Sequence, residues 1–304
     1  MPGNGPTVMR ERSNHFFLTL IVWIAQHMGR RITRWLLRVI VLYYVLTAPS
    51  ATAASRSYLR RILGVRPRWR DVYRHVYYFA STILDRVYVL SGNTQDLDIQ
   101  VHNEELLRHY RNNDIGAIIM VAHLGSFEVL RALGYDRGGL RLRVLMNRAA
   151  GAKAYSVLDA INPSLRGSLI DTSESDVDRV LKLKSALEDG EIISLMADRP
   201  GPDERVAQCE FLGDQAAFPL SPWIMAAMLK VPVIICFGLY RGGNRYDLYF
   251  EEFSKQLDIP RAQRMQRAGE YAQAYADRLA YYTRQAPYNW FNFYDFWQSD
   301  AARD

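Results

Sequence analysis

The stretch Ile-Gly-Ala-Ile-Ile-Met-Val-Ala at 115–122 constrains this chain more than any other. It carries no charge, is rich in β-branched residues, and has the length of a fully buried strand. The run stops at His123. Leu124, Gly125 and Ser126 then supply a tight turn, with Gly125 free to take a positive φ. From there the apolar spacing becomes helical, with Phe127, Leu130 and Leu133 recurring every third residue. A strand that feeds a helix through a short turn ends at the carboxyl edge of its sheet, where open α/β sheets bind ligands. His123 is expected at that edge, and Glu128 in the first helical turn beyond it.

Across such a corner, a carboxylate five positions on can reach one imidazole nitrogen while the other faces a substrate. It would fix the ring tautomer and favour the imidazolium that forms during proton transfer. That arrangement suits general-base activation of a hydroxyl or amine. Backbone amides from Leu124 to Phe127, Gly125 and Ser126 among them, are candidates for steadying an oxyanion. The same residues also fit a polar strand end and an acid favoured by a helix N-terminus.

A chain of 304 residues suffices for one large α/β domain with a terminal extension. Its net charge of +6 suits an anionic membrane face, an acidic carrier protein or nucleic acid. Arginines and tyrosines interleave between Arg56 and Tyr88, but no RNA- or DNA-binding motif accompanies them, so nucleic acid is not expected as a partner. Lipid phosphates or an acidic carrier fit these arginines better. Cys209 and Cys236 are the only cysteines. They offer neither a disulfide framework nor zinc spacing, which points to a reducing compartment. The absence of a Gly-rich phosphate loop and of a His/Cys cluster implies no dinucleotide cofactor and no metal. No Ser or Cys sits in a nucleophile motif and there is no Gly-x-Ser-x-Gly elbow, so no acyl-enzyme is required.

Residues 16–28 and 35–48 are apolar, apart from Arg38, and flank a basic break containing Arg30, Arg31 and Arg34. Neither run reaches the ~20 residues of a plain transmembrane helix. With Trp23, Trp35, Tyr43 and Tyr44 as interfacial aromatics, the segment reads as an amphipathic region in or on a membrane surface. One tilted span, or a helical hairpin capping the core, stays open. The arginines are expected to cluster on one helical face.

Further on, 95–113 reads as a polar helix carrying His102 and His109. The segment 140–146 reads as a strand ending at Asn147-Arg148, with Arg148 a candidate for gripping a phosphate. A helix is expected over 152–161 and a short strand over 168–171. The spacing over 176–188 predicts a helix with Val177, Val180, Leu181, Leu183 and Leu187 inward, and 192–197 predicts the next strand. A loop over 211–219, a helix from Ser221, strands over 231–239 and 246–253, a long helix over 261–284 and a dense aromatic tail complete the chain. The tail either lines a cleft or touches a membrane interface.

His-x4-Glu after an apolar strand resembles the signature of the glycerolipid acyltransferase superfamily, and the chain is similar to its lipid A biosynthesis (lauroyl/myristoyl) branch. The likeness rests on the block from His123 to Glu128, on Met146-Asn147-Arg148, on Leu187-Glu188-Asp189-Gly190-Glu191 running to Asp198, and on Phe211-Leu212-Gly213 through Phe218-Pro219. Two departures stand out. That family usually has Asp-Gln where this chain has Asp198-Arg199, and the tail from Pro287 to Trp297 lacks a basic ending. The order of elements, helices first, then strands alternating with helices and a late hairpin, implies a mixed-sheet α/β sandwich, and the resemblance implies a glycerolipid-acyltransferase-like one, with a membrane-associating segment at 1–54 and an acyltransferase domain at 55–304. It implies a fatty acyl thioester donor, on acyl carrier protein or coenzyme A, and a lipid acceptor. His123 and Glu128 would be catalytic, with Asp198, Arg199 and Arg148 at the substrate cleft, on the cytoplasmic face of a bacterial inner membrane. Hydrolysis by the same pair, and a non-catalytic lipid-binding protein, remain open alternatives.

Overall fold

The uncharged 115–122 run lies at the middle of the sheet, where both faces of a strand are covered. In the computed structural model, residues 15–130, 141–146, 168–171, 176–201 and 203–297 are described. Nine strands occur among them: β1 (Asp98–His102), β2 (Ala117–Val121), β3 (Leu142–Met146), β4 (Leu169–Asp171), β5 (Ile192–Met196), β6 (Val206–Phe211), β7 (Asp214–Pro219), β8 (Val233–Gly242) and β9 (Arg245–Ser254). The helices are α1 (His15–Thr47), α2 (Pro49–Leu63), α3 (Trp69–Leu90), α4 (Glu104–Asn112), α5 (Asp176–Glu188), α6 (Ser221–Leu229) and α7 (Arg264–Gln285). Seven strands form one sheet in the order β1-β9-β8-β2-β5-β3-β4. Every neighbouring pair is parallel except β8 and β9, so the sheet is mixed, as expected. Alternate residues of β2 feed opposite cores: Ile118 and Met120 join one, Ala117, Ile119 and Val121 the other.

Several expectations are corrected. The stretch 95–113 is not one helix: Asp98–His102 is a strand at the sheet edge, parallel to β9, and only Glu104–Asn112 is helical. Ile99 and Val101 alternate with polar neighbours, and an available sheet edge overrides the local helical reading. The 211–219 loop is a hairpin, β6 pairing antiparallel with β7 across Leu212 and Gly213, both at positive φ (54° and 91°). On α5 the buried face is Leu183, Ala186 and Leu187, while Val177, Val180 and Leu181, expected inward, are exposed. The expected 152–161 helix lies outside the described residues.

Helix α1 is broken at Gly29, whose φ of 73° and ψ of 165° leave the helical region. Beyond the break it runs antiparallel to α3, and its two faces differ sharply. Thr33, Leu37 and Val41 are buried. Arg30 and Arg34, expected to share one helical face with Arg31 and Arg38, turn inward with them. Arg30 grips the buried Asp85 of α3 at 2.9 and 2.7 Å, and Arg34 reaches the same carboxylate at 3.1 Å. The Tyr246 hydroxyl donates to it at 2.7 Å, tying the helix pair to β9. A buried carboxylate attracts arginine more strongly than solvent does only when its hydrogen bonds are filled, as these are. The opposite face exposes Ile32, Trp35, Val39, Leu42, Tyr43 and Leu46. Among the described residues no single helix is long and apolar enough to cross a membrane. The segments Ile32–Thr47 and Pro49–Leu63 reach that length only as a pair bent by 95°.

Candidate active site

Two parallel strands that end in register bring the residues that follow them side by side. Val121 of β2 pairs with Met196 of β5, and the Ala197 amide donates to the Val121 carbonyl at 3.0 Å. Two residues beyond that pair on each strand stand His123 and Asp198. The His123 Nδ1 lies 2.9 Å from Asp198 Oδ1, and the His123 backbone N–H donates to Oδ2 at 3.0 Å. An ionised carboxylate only accepts, so Nδ1 carries the proton and Nε2 of the neutral ring keeps its lone pair. The carboxylate is fully buried, whereas the imidazole side chain is 38 % exposed. Burial alone would raise the Asp198 pKa, but the charge and hydrogen bonds of His123, together with Arg199, outweigh it and hold the carboxyl at about 2.

This differs from the expected partner. The carboxylate on the His123 ring is that of Asp198, 75 positions away, not that of Glu128. Residues 127 and 128 form a turn and 129–130 are helical. Glu128 is buried there and forms an ion pair with Arg86 of α3, whose guanidinium also lies 5.9 Å from the Phe127 ring. The corner geometry explains why the spacing misleads: the backbone between His123 and Glu128 turns away from the sheet edge to reach β8.

Gly125 and Ser126 build that turn. Gly125 has a φ of 67°, and a Cβ on it would stand 1.7 Å from the Gly238 carbonyl oxygen of β8. Only glycine fits both the conformation and the approach. The Gly125 amide donates to the Asn289 carbonyl and the Ser126 amide to the Gly238 carbonyl, each at 2.8 Å. Both amides are therefore engaged in holding the corner and do not offer themselves to an oxyanion.

Arg199 lies beside the pair, its Nε 3.8 Å from Asp198 Oδ2 and its Nη2 donating to the Phe291 carbonyl. Its guanidinium lies near the rings of Trp290 and Tyr294. Burial drives the Tyr294 pKa up to about 12, so this neighbour is a neutral phenol. Arg148 lies outside the described residues. The aromatic tail is not a free surface element: Trp290 is fully buried, and its indole N–H donates to Asp198 Oδ2 at 3.2 Å. The reading of the residues missed this contact, since no spacing links positions 92 apart. A signal for Asp198 did exist. Met120-Val121-Ala122-His123 and Leu195-Met196-Ala197-Asp198 share one pattern, an apolar strand end, alanine, then a polar group.

A partly exposed imidazole held at Nδ1 by a buried carboxylate, at a strand end of an α/β sheet, has the arrangement that general acid–base chemistry requires. The chain belongs to the bacterial lipid A biosynthesis acyltransferase family, whose sequence model matches residues 9–299. No curated protein matches the chain. Membership makes acyl transfer of the lipid A type its class of chemistry.

Proposed function

We propose that the protein moves a fatty acyl chain from a thioester, on acyl carrier protein or coenzyme A, to a hydroxyl or amine of a lipid or glycolipid acceptor. The observation that carries this reading is the Nδ1-held His123 at the joint end of β2 and β5. His123 Nε2 takes the acceptor proton as the acceptor oxygen or nitrogen attacks the thioester carbonyl. The tetrahedral intermediate collapses, the C–S bond breaks, and the imidazolium returns its proton to the leaving thiolate. Asp198 holds the ring in the required tautomer and stabilises its charged form. Glu128, paired with Arg86, holds the turn that follows His123, and Arg148 and Arg199 supply positive charge for an anionic donor or acceptor.

The working place we propose is the cytoplasmic face of a bacterial inner membrane. The exposed apolar stripe of α1 supports it, together with the exposed Arg38, Arg66, Arg68 and Arg70 around the neighbouring Val65 and Trp69. Cations beside apolar side chains suit an anionic lipid interface. Sedimentation with vesicles containing anionic lipid tests this. At ~2 kcal/mol per large buried apolar side chain, Trp35→Asp with Leu46→Asp should weaken binding by at least about tenfold. Unchanged partition would remove α1 from the membrane contact.

The chemistry is tested by purified protein in detergent, given acyl-carrier and acyl-coenzyme donors and a bacterial lipid extract, beside His123→Ala. A new acylated lipid formed only by wild type is the expected result. Equal release of free fatty acid without added lipid would instead indicate a hydrolase.

A further inference from the structure

We propose that Trp290 is a positioning residue for the His123–Asp198 pair, and that residues 289–291 form the wall that keeps the two in working register. The inference rests on the reading of that pair as the proton-transferring centre. Asp198 Oδ2 accepts two donors, the His123 backbone N–H at 3.0 Å and the Trp290 indole N–H at 3.2 Å. With Oδ2 filled, Oδ1 remains for the imidazole alone. Asp198 is fully buried, so its carboxylate cannot turn about its Cβ–Cγ bond without giving up both Oδ2 bonds out of reach of bulk solvent.

The wall also grips His123 through the main chain. The Phe291 amide donates to the His123 carbonyl at 2.9 Å, while the Asn289 carbonyl takes the Gly125 amide. Leu124 and Trp290 thus form an antiparallel bridge. His123 is held by its backbone, through Phe291, and Asp198 by its side chain, through Trp290, so both holds come from one short segment.

Trp290 is itself fixed from behind. Its carbonyl lies 3.0 Å from Nε2 of the fully buried His75, so that nitrogen must donate. His75 Nδ1 is then the acceptor for the Ser55 hydroxyl at 2.8 Å. Burial lowers the His75 pKa to about 4, and Arg199 adds to this, so the ring stays neutral and keeps these two roles. Asn289 fixes the other end, accepting the Tyr240 amide at 2.6 Å and donating to the Tyr240 carbonyl at 3.1 Å. The indole packs edge-on against Phe211, Phe296 and Tyr58. Packing of that kind would be met equally by phenylalanine; the N–H on Asp198 is what tryptophan adds.

The test uses the full chain in detergent with nitrogen-labelled histidine. Long-range proton–nitrogen spectra report the His123 tautomer without any substrate, and His123→Gln assigns its signal. Wild type is expected to hold the Nδ1–H form. In Trp290→Phe, which keeps the ring, that signal should broaden or mix with the Nε2–H form. The kcat should fall by up to roughly a hundredfold with KM little changed, the scale of a small misplacement of a reacting group. A wild-type tautomer signal and kcat in Trp290→Phe overturn the proposal. Should that variant not fold, the Trp290 indole resonance decides: it must move between wild type and Asp198→Asn, and an unmoved resonance overturns the assignment. A disturbed tautomer in a protein whose wild type consumes no thioester upholds the positioning role and removes the acyl-transfer reading instead.

Discussion

Asp198→Asn should lower acyl transfer by about 10⁴, the size of loss that the same replacement causes in hydrolytic Ser-His-Asp centres. The amide fills the same buried space but carries no charge. It can present N–H to Nδ1, which puts the imidazole proton on Nε2, where the lone pair is needed. Steady-state transfer with His123→Ala as the floor measures this. Retention of more than a tenth of wild-type kcat would make Asp198 an ordinary buried acid. Stability carries a second signature. The Asp198 carboxyl is depressed from its ordinary 3.8 to about 2. Its stabilising contribution is therefore fully present above pH ~4 and lost as the pH falls toward 2. Thermal melts of Asp198→Asn should lack that component of the acid-side decline. Glu128→Ala offers the contrast. It strands the Arg86 guanidinium, so its first effect should be on folding stability, on the order of 3 kcal/mol.

The second large effect is expected at Asp85, where no chemistry is proposed. Its side chain is 1 % exposed, and its arginine partners only 13 % and 15 %. Asp85→Ala leaves two guanidinium groups facing each other without their anion. Breaking such a buried arrangement costs about 3–5 kcal/mol, a fall in melting temperature on the order of 10 °C. The loss should be local as well as global. Trypsin should cut after Arg30 and Arg34 much faster in Asp85→Ala than in wild type. Combining Asp85→Ala with Arg30→Met and Arg34→Met should recover most of the stability, because no charge is then left unpaired. Equal cleavage rates in wild type and Asp85→Ala would show that α1 is held by its apolar contacts alone.

What was legible in the residues was local. The 115–122 strand, the His123 corner and the need for glycine at 125 all follow from a few consecutive side chains. The sheet's mixed character follows from strands alternating with helices and one late hairpin. What was hidden depends on distant pairing. Spacing pointed to Glu128 because it counts along the chain, whereas the His123 partner is set by the register between β2 and β5. The arginines at 30 and 34 read as part of one basic helical face, since nothing nearby announces a buried acid fifty positions on. Asp98–His102 reads as the start of a helix because its five residues become a strand only against β9. Local pattern decides an element where one face is strongly apolar, and tertiary pairing decides it elsewhere.

The centre also has an order of assembly. His75, His123 and Asp198 precede Trp290 in the chain, and the His75 contact to the Trp290 carbonyl spans 215 positions. Contacts so remote close late, after the loops between them have lost their freedom. During synthesis the imidazole and its carboxylate leave the ribosome well before the segment that braces them. A nascent chain stopped short of residue 289 would already display His123 yet lack the brace, so under the proposed role of Trp290 the growing polypeptide would stay chemically quiet until its sheet and tail have closed on each other.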